Sequence, residues 1–265
     1  MRLFFIRHGE SVDNVAGIVA GSRDSPLTSH GFLQARRLGP ALARDVLVSH
    51  IFSSPLQRAV KTAEAVRDAQ REQHGAVPHF VLVSDLQEKD FGSREGASFR
   101  SRSSAGTVDD AESTSVMMKR ANCFLDDYLV PLLCVDADTD MACAVVSHGI
   151  FLGVLTRALL KRICPHHIAL PPVSEPSDAT TDASGHTRFF WSNTGFLELT
   201  VAGLDVADPS RLPLQLRIDR VDCTSHLESL HKTRGGIGSA VFDPHQRTMH
   251  SYFTSASDQM PGSRA

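Results

Sequence analysis

The feature that most constrains this chain is a short apolar run near its start that ends in charge. Residues 3–6 read Leu-Phe-Phe-Ile, and Arg7, His8 and Gly9 follow at once. A continuous apolar run of this length is typical of a strand buried on both faces of a parallel sheet. Ligands of open α/β sheets bind beyond the carboxyl ends of the strands, where a guanidinium beside an imidazole suits a phosphate oxyanion. Gly9 is expected to let the backbone turn sharply and approach that ligand.

Two further strand ends carry groups of the same kind. A second strand is predicted over 51–53, with Pro55 in the first turn of the helix that follows and Arg58 projecting from that turn. Backbone N–H groups and the helix dipole already favour an anion there, and the guanidinium adds to this. An apolar run over 141–147 predicts a central strand that ends at His148. Four cationic or imidazole groups, from three strand ends, are therefore expected at one edge of the sheet.

A loop rich in carboxylates, residues 85–96, follows the third predicted strand, over 80–84. Glu88, Asp90 and Glu95 each offer a group that can be held near the pocket and exchange a proton with a reacting oxygen.

Periodicity and turn residues predict the other elements. The helices are one after a Thr28 or Ser29 cap, a helical stretch over 116–133 and a helix over 150–160. The strands are a pair over 189–191 and 196–201, around a turn at 192–195, and a last strand over 214–221; a mobile surface segment is expected over 98–114 and a flexible loop over 165–185.

These segments, in this order, resemble the motifs of the histidine phosphatase superfamily, the phosphoglycerate mutase-like enzymes. The resemblance covers about 1–201 and rests on four motifs together with a helix lead-in: Arg-His-Gly at 7–9, Asp-x-Pro-Leu-Thr-x-x-Gly-x-x-Gln-Ala at 24–35, Ser-Ser-Pro-x-x-Arg-Ala at 53–59, Leu-x-Glu-x-x-x-Gly-x-x-Glu-Gly at 86–96 and Ser-His-Gly at 147–149. It implies an α/β fold, a three-layer α/β/α sandwich with a mostly parallel central sheet.

The resemblance also assigns catalytic roles to five residues. His8 takes the place of the nucleophile and Glu88 that of the proton donor, while Arg7, Arg58 and His148 stabilise the charge that spreads over the phosphoryl oxygens. For attack, one ring nitrogen of His8 must be unprotonated while the other donates a hydrogen bond, and a backbone carbonyl is the expected acceptor. This chemistry calls for no metal and no other cofactor.

Three further residues are candidates for substrate binding. Asn14 and Ser11 lie just past the first motif and are expected to donate to phosphate oxygens. Arg94 stands where many members of the family carry an aromatic residue, in a loop expected to line the mouth of the pocket. The partner is thus a small phosphorylated metabolite, which the sequence does not identify.

Three functional classes stay open: a phosphomonoester phosphatase, a mutase that returns the phosphate to its substrate, and a non-catalytic module that binds phosphorylated ligands. The first is favoured over the mutase because the segment 97–115 is Ser-rich and acidic, and ill suited to enclose a phosphoenzyme. In addition, residues 88–92 read Glu-Lys-Asp-Phe-Gly, unlike the Glu-Arg-His-Tyr-Gly of the mutases. The binding module is disfavoured because every chemical position is filled.

Length and composition set the remaining expectations. The 265 residues are interpreted as one domain, with a core over about 1–221 and a C-terminal extension, 222–265, that resembles those of some fungal members and lies outside the chemistry. A net charge of -3 gives no reason to expect nucleic acid, and no apolar run suits a membrane. Five widely spaced Cys predict buried thiols in a reducing compartment, which, with no signal peptide pattern, favours the cytoplasm or nucleocytoplasm. Homo-oligomerisation stays open.

Overall fold

The structure, a computed structural model, describes residues 1–100, 110–137, 139–169, 180–181, 187–204, 211–232 and 237–245. In chain order its strands and α-helices are β1 (Arg2–Arg7), α1 (Val12–Ala16), α2 (Ser29–Asp45), β2 (Val48–Ser53), α3 (Gln57–His74), β3 (His79–Leu82), α4 (Thr114–Phe124), α5 (Val130–Asp136), β4 (Ala142–Ser147), α6 (Gly149–Arg162), β5 (Ile168–Ala169), β6 (Thr180–Thr181), β7 (Thr187–Arg188), β8 (Phe196–Gly203) and β9 (Leu214–Cys223). A π-helical turn, Leu125–Leu129, joins α4 to α5.

Seven strands form one sheet in the order β3-β2-β4-β1-β8-β9-β5, and β6 and β7 form a separate antiparallel pair. Within the large sheet β8 runs antiparallel to both of its neighbours, β1 and β9, while the other neighbouring pairs are parallel. The predicted mostly parallel sheet is therefore confirmed. Its carboxyl edge gathers the ends of β1, β2 and β4.

Both faces of the sheet are covered by helices, as the apolar run of β1 predicts. Leu3 and Phe5 pack in a cluster with side chains of α4, α5 and α6, whereas Phe4 and Ile6 pack on the opposite face with side chains of α2 and α3. All four side chains are fully buried. Since successive side chains of a strand point to opposite faces, only a strand covered on both sides can be apolar throughout. The three-layer α/β/α sandwich is thus confirmed.

The two helices that lead to the site begin in different ways. Thr28 caps α2, and its Oγ1 accepts a hydrogen bond from the Gly31 N–H at 2.9 Å, as the sequence predicts. The expected place of Pro55 in the first turn of α3 is wrong, because Leu56 still has extended backbone and the helix begins at Gln57. The cap comes from a distant residue instead. Asp24 Oδ1 accepts from the Gln57 N–H at 2.7 Å.

Other predicted boundaries also move. The predicted strand pair is wrong: residues 189–191 form no strand, and β8 pairs with β1 and β9, which occupy both of its edges. The third strand ends at Leu82, and Ser84–Leu86 is a 3₁₀ turn. The last strand continues to Cys223, two residues past the expected end of the core. The proposed single domain with a boundary at 221 stays a prediction.

The cysteines are less buried than expected. All five are free thiols, but only Cys143, in the centre of β4, is buried, while Cys123 and Cys134 are exposed on the α4 and α5 side. Most of the predicted segments 98–114 and 165–185 lies outside the described residues. Among the helices in the described ranges, none is long and apolar enough to span a bilayer.

Candidate active site

The register of the sheet brings two of the predicted site residues together. β1 and β4 are parallel neighbours with Arg7 opposite Ser147, so the next residues, His8 and His148, leave the sheet side by side. Their ring centroids lie 5.0 Å apart. β2 ends beside them with Ser53 opposite Val146, and α3 then carries Arg58 into the same place. Three strand ends of one sheet edge therefore build the site.

His8 is held as a neutral imidazole with one free nitrogen. Its Nδ1 lies 2.7 Å from the Gly9 carbonyl oxygen, which can only accept, so Nδ1 carries the proton and Nε2 keeps its electron pair. The predicted hydrogen bond to a backbone carbonyl is therefore present. Burial lowers the His8 pKa well below its usual value, and the charges of Arg58 and Arg7 lower it further.

Gly9 serves backbone packing, not the expected turn toward a ligand. A Cβ on Gly9 would lie 2.5 Å from the carbonyl oxygen of Gly31, and a Cβ on Gly31 would lie 2.0 Å from the carbonyl oxygen of Glu10. The two backbones thus touch at the start of α2. The Gly9 N–H also donates to Thr62 Oγ1 on α3 at 3.0 Å. These contacts fix the residues that follow β1 against both helices.

Arg58 is almost fully buried, with 1% of its surface exposed. Its Nη1 and Nη2 donate to the carbonyl oxygens of Arg23 and Gly21 at 2.6 and 2.8 Å, and its Nε donates to His148 Nδ1 at 3.3 Å. Burial lowers the Arg58 pKa, but the nearby Glu88 carboxylate opposes that shift. An arginine starts from so high a pKa that it stays charged. The site thus holds a fixed, buried cation.

Arg7 supplies a second cation to the same cavity. Its Nη1 donates to the Trp191 carbonyl oxygen at 2.5 Å. Its Nε is buried and has no hydrogen-bond partner among the described residues. Burial lowers the Arg7 pKa as well, while the negative charges of Glu88 and Asp222 raise it and so oppose that shift. A buried guanidinium N–H without a partner is costly, so Arg7 is poised to donate to an anion.

His148 is engaged differently from the expectation. It accepts from Arg58 at Nδ1, and its Nε2 therefore carries the proton and donates to Ser54 Oγ at 2.9 Å. Burial lowers the His148 pKa well below its usual value, and the Arg58 charge adds to this. In this arrangement the ring is neutral, and both of its nitrogens form hydrogen bonds with protein side chains.

Of the candidate acids Glu88, Asp90 and Glu95, Glu88 is the one that lines the pocket. Its Oε1 accepts from the N–H groups of Lys89 and Phe151 at 2.9 and 3.0 Å, and its Oε2 accepts from the Ile150 N–H at 3.2 Å. Two of these donors belong to the first turn of α6, which has no side-chain cap of its own. The carboxylate is therefore aimed by the helix that follows His148.

The rival carboxylates have other partners. Glu95 Oε1 accepts from the Ser22 N–H at 2.7 Å and from the Phe91 N–H at 3.2 Å. Asp90 is exposed, and its Oδ1 accepts from the Gly92 N–H at 2.7 Å. Neither lines the pocket.

The structure brings one of the three predicted substrate-binding residues into the pocket. Asn14 lines it, and its Oδ1 accepts from Asn193 Nδ2 at 3.2 Å and from the Ser11 N–H at 3.1 Å. Ser11 is fully buried and caps α1, accepting from the Asn14 N–H at 3.3 Å. Arg94 is exposed in a 3₁₀ turn, Gly92–Arg94, and does not line the pocket.

The residues above surround a cavity of about 340 Å³. A larger groove, about 650 Å³, lies between α2, α3 and residues 241–244. Its rim carries Arg36, Lys61, Glu64, Asp68 and Glu72, all of which are surface groups of two helices. The smaller cavity contains the buried Arg58, the partly buried Arg7 and a histidine, His8, whose pKa is lowered well below its usual value. Groups of this kind mark functional sites, so this cavity is the candidate site. Among the described residues, no three His, Cys, Asp or Glu side chains are grouped to hold a metal ion.

Sequence reasoning missed the loop that supports β1. The Thr194 N–H points to the carbonyl oxygens of Arg7 and His8, at 3.1 and 3.2 Å, and Asn193 Nδ2 donates to the His8 carbonyl oxygen at 3.1 Å. Asp222 in turn accepts from the N–H and the hydroxyl of Ser192, both at 2.7 Å. The turn sequence 192–195 was the available signal, but it did not reveal which strand the turn supports.

The described part of the extension also contacts this end of the sheet. His226 Nε2 lies 2.9 Å from Thr194 Oγ1, and Lys232 pairs with Glu10 at 2.7 Å. Burial lowers the His226 pKa to about 4, so the ring is neutral. None of these residues lines the pocket.

Comparison with known proteins identifies the family. The family model for the histidine phosphatase superfamily (branch 1) matches residues 3–174. A probable phosphatase of Schizosaccharomyces pombe is 33% identical over 250 residues, which covers 91% of this chain and 76% of the relative.

Two solved structures share the fold. A mycobacterial glucosyl-3-phosphoglycerate phosphatase, solved with VO₃, has a TM-score of 0.56 at 22% identity and covers 83% of this chain and 98% of its own. A phosphoglycerate mutase of Bacillus anthracis has a TM-score of 0.59 at 18% identity, with coverages of 86% and 95%. The fold is phosphoglycerate mutase-like. This chain belongs to the histidine phosphatase superfamily, branch 1, and is a phosphatase-type enzyme.

Proposed function

We propose that the chain hydrolyses a phosphate ester of a small metabolite through a phosphohistidine on His8. The observation that carries the proposal is the neutral His8 ring, with its Nδ1 proton bound to the Gly9 carbonyl oxygen and its Nε2 free, in a site that also holds the charges of Arg58 and Arg7. A nucleophile for phosphoryl transfer needs an available electron pair and a site that stabilises the charge of the moving group. His8, Arg7 and Arg58 together provide both.

The first step transfers the phosphoryl group to the protein. His8 Nε2 attacks phosphorus, the bond from phosphorus to the ester oxygen breaks, and the leaving oxygen takes a proton from Glu88. Arg7 Nε and the remaining N–H groups of Arg58 donate to the phosphoryl oxygens, and Asn14 Nδ2 is the proposed further donor, since Asn14 Oδ1 already accepts two hydrogen bonds. His148 acts as a positioning residue for Arg58.

The second step returns the protein to its starting state. Glu88, now a carboxylate, takes a proton from a water molecule, the water oxygen attacks phosphorus, and the bond to His8 Nε2 breaks. Inorganic phosphate leaves and His8 is neutral again. No step needs a metal, because the nitrogen nucleophile and the two guanidinium groups supply the attack and the charge stabilisation.

Glu88 can be tested through the basicity of the leaving group. We expect Glu88→Gln to lower kcat/KM for alkyl phosphates by on the order of 10²-fold or more, because an alkoxide leaves only with a proton. The same variant should affect 4-nitrophenyl phosphate far less, since that leaving group departs without one. Asp90→Asn in the same loop is the matched control and should leave both rates near wild type. Equal damage to both ester classes by Glu88→Gln would contradict proton donation.

Hydrolysis is favoured over mutase action by the acids that follow Gly96. The Asp110 carboxylate accepts from the Ser93 N–H at 3.0 Å, and Glu112 pairs with Arg120 at 2.8 Å. These acids organise the segment that follows Gly96. Because carboxylates carry the same sign of charge as phosphate, the segment is ill suited to enclose a phosphorylated intermediate. A mutase instead needs an enclosing segment rich in groups that bind phosphate.

The two reactions differ in their products. With 3-phosphoglycerate and a catalytic amount of the bisphosphorylated primer, we expect negligible 2-phosphoglycerate by phosphorus NMR, while small phosphate esters release inorganic phosphate. His8→Ala should abolish that release. Efficient primer-dependent interconversion with little free phosphate would assign the chain to the mutases instead.

A further inference from the structure

One wall of the candidate site is apolar and largely aromatic. Its large apolar side chains are Ile18, Phe91, Phe99, Ile150 and the three consecutive aromatic residues 189–191, Phe-Phe-Trp. The same cavity is lined by His8 and the two arginines. We call the part formed by His8, Arg7 and Arg58 the phosphate end, and the part formed by the apolar side chains the apolar end.

Hydrogen bonds hold the backbone of the two segments that carry Phe91 and Phe99. Residues 17–19 pair with residues 96–99: the Phe99 N–H donates to the Gly17 carbonyl oxygen and the Val19 N–H to the Ala97 carbonyl oxygen, both at 2.9 Å. The Phe91 carbonyl oxygen accepts from the Arg94 N–H at 3.1 Å, and the Phe91 N–H donates to Glu95. The backbone positions from which Phe91 and Phe99 extend into the wall are therefore held by the fold.

The wall is joined directly to the phosphate end. Trp191 holds Arg7 through its carbonyl oxygen, as described above, and the Trp191 Cβ and Arg7 Nε both lie within 4 Å of the Cβ position of Gly149. Trp191 Nε1 is buried without a partner among the described residues. An indole N–H in this state is a donor available to a bound ligand.

Two of the wall side chains are unusually exposed for their type. Phe99 is 61% exposed and Phe190 is 53% exposed, although both face the cavity. Aromatic rings in this position gain contact area when an apolar group enters between them. The wall therefore favours an uncharged, flat group on the substrate.

The distribution of charge in the cavity also favours an uncharged group at the apolar end. Of the described residues that line it, the charged ones are Arg7, Arg58 and Glu88, and both arginines belong to the phosphate end. Lys89 does not line the cavity, and its Nζ lies over the Phe91 ring, 5.2 Å from the centroid. A carboxylate or second phosphate at the apolar end would lose hydration without gaining an ionic partner.

Resting on the proposed function, we propose that this site prefers phosphate monoesters whose alcohol carries a flat, uncharged apolar group, best an aromatic ring. Carboxylated and doubly phosphorylated esters are disfavoured. The cavity of about 340 Å³ is large enough for a phosphate and one ring-sized group.

The test compares alkyl esters, so that leaving-group basicity does not dominate. We expect kcat/KM for 2-phenylethyl phosphate to exceed that for 2-hydroxyethyl phosphate by on the order of 10-fold or more, the effect of burying part of one ring. The preference over 3-phosphoglycerate should be larger still. Both Phe99→Ala and Phe190→Ala should reduce the ratio. Leu82→Ala, which removes a 52% exposed apolar side chain outside the cavity, is the matched control and should keep it.

The outcomes separate this inference from the proposed function. Phosphate release that depends on His8 but shows a ratio near one, or favours 3-phosphoglycerate, would overturn the aromatic preference alone. If the preference for 2-phenylethyl phosphate over 2-hydroxyethyl phosphate is unchanged in both Phe99→Ala and Phe190→Ala, these rings do not cause it, and the inference is overturned. If no ester releases phosphate, or release persists in His8→Ala, the proposed function fails and the inference fails with it.

Discussion

His8→Ala is expected to lower phosphate release by on the order of 10³-fold or more, because it removes the atom that bonds to phosphorus. The effect should appear in kcat, and substrate binding should survive, since Arg7 and Arg58 remain. Among the described residues, the His8 side chain forms one hydrogen bond, to the adjacent carbonyl oxygen, so we expect the loss of the ring to leave the fold intact. Thermal unfolding of the variant checks that point.

The control for this variant is His166→Ala, which removes an exposed histidine of a 3₁₀ turn, Pro165–His167, away from the cavity. We expect wild-type turnover from it. His8→Ala with near wild-type turnover would exclude His8 as the nucleophile.

Arg58→Ala should slow turnover by on the order of 10²-fold or more, as the loss of a preorganised charge partner does. Arg7→Ala should have a similar effect. Since Arg58 also holds the carbonyl oxygens of Gly21 and Arg23, Arg58→Lys is the companion variant, which keeps the charge but loses the fork of donors. We expect it to be slow as well, with a folded protein in thermal unfolding.

The matched control is Arg67→Ala on the same helix, α3, where the guanidinium lies over the Phe80 ring and outside the cavity. It should keep kcat. A rise in KM with unchanged kcat in Arg58→Ala would mean that Arg58 binds the ground state only and does not stabilise the transition state.

Much of this site could be predicted because its parts are local patterns. In β1 an apolar run is followed by Arg7 and His8, and in β4 an apolar run is followed by His148. Each pattern marks the end of a strand to within a few residues. Parallel strands deliver their ends to one edge, so the residues meet. Glu88 was expected in a loop, and the helix that aims it, α6, was also predicted. The sequence pattern did not reveal that backbone N–H groups of α6 bind the Glu88 carboxylate.

The remainder depends on contacts between distant parts of the chain. Asn193 is 185 residues from His8, and Asp222 is 30 residues from Ser192, so no local spacing marks either pair. Ser11 was expected at the phosphate, but it caps a five-residue helix too short to show periodicity. The neutral state of His148 follows from burial and from the neighbouring Arg58, which only the packed structure reveals.

The extension was expected to lie outside the chemistry, and no described residue of it lines the cavity. Its contacts nevertheless cross the predicted boundary at 221. Asp222 and His226 hold the loop 192–195, which in turn holds the backbone of His8. Residues 222–232 are therefore inferred to position the site without entering it.

The central claim is a covalent bond between phosphorus and His8 Nε2. Rapid quenching of the enzyme with ³²P-labelled substrate, followed by peptide mapping under alkaline conditions, tests it directly. We predict label on the peptide that contains His8, stable in alkali and lost in acid, and none in His8→Ala. Label on another residue, or burst-free turnover with no trapped label from any ester that the enzyme hydrolyses, would contradict the account.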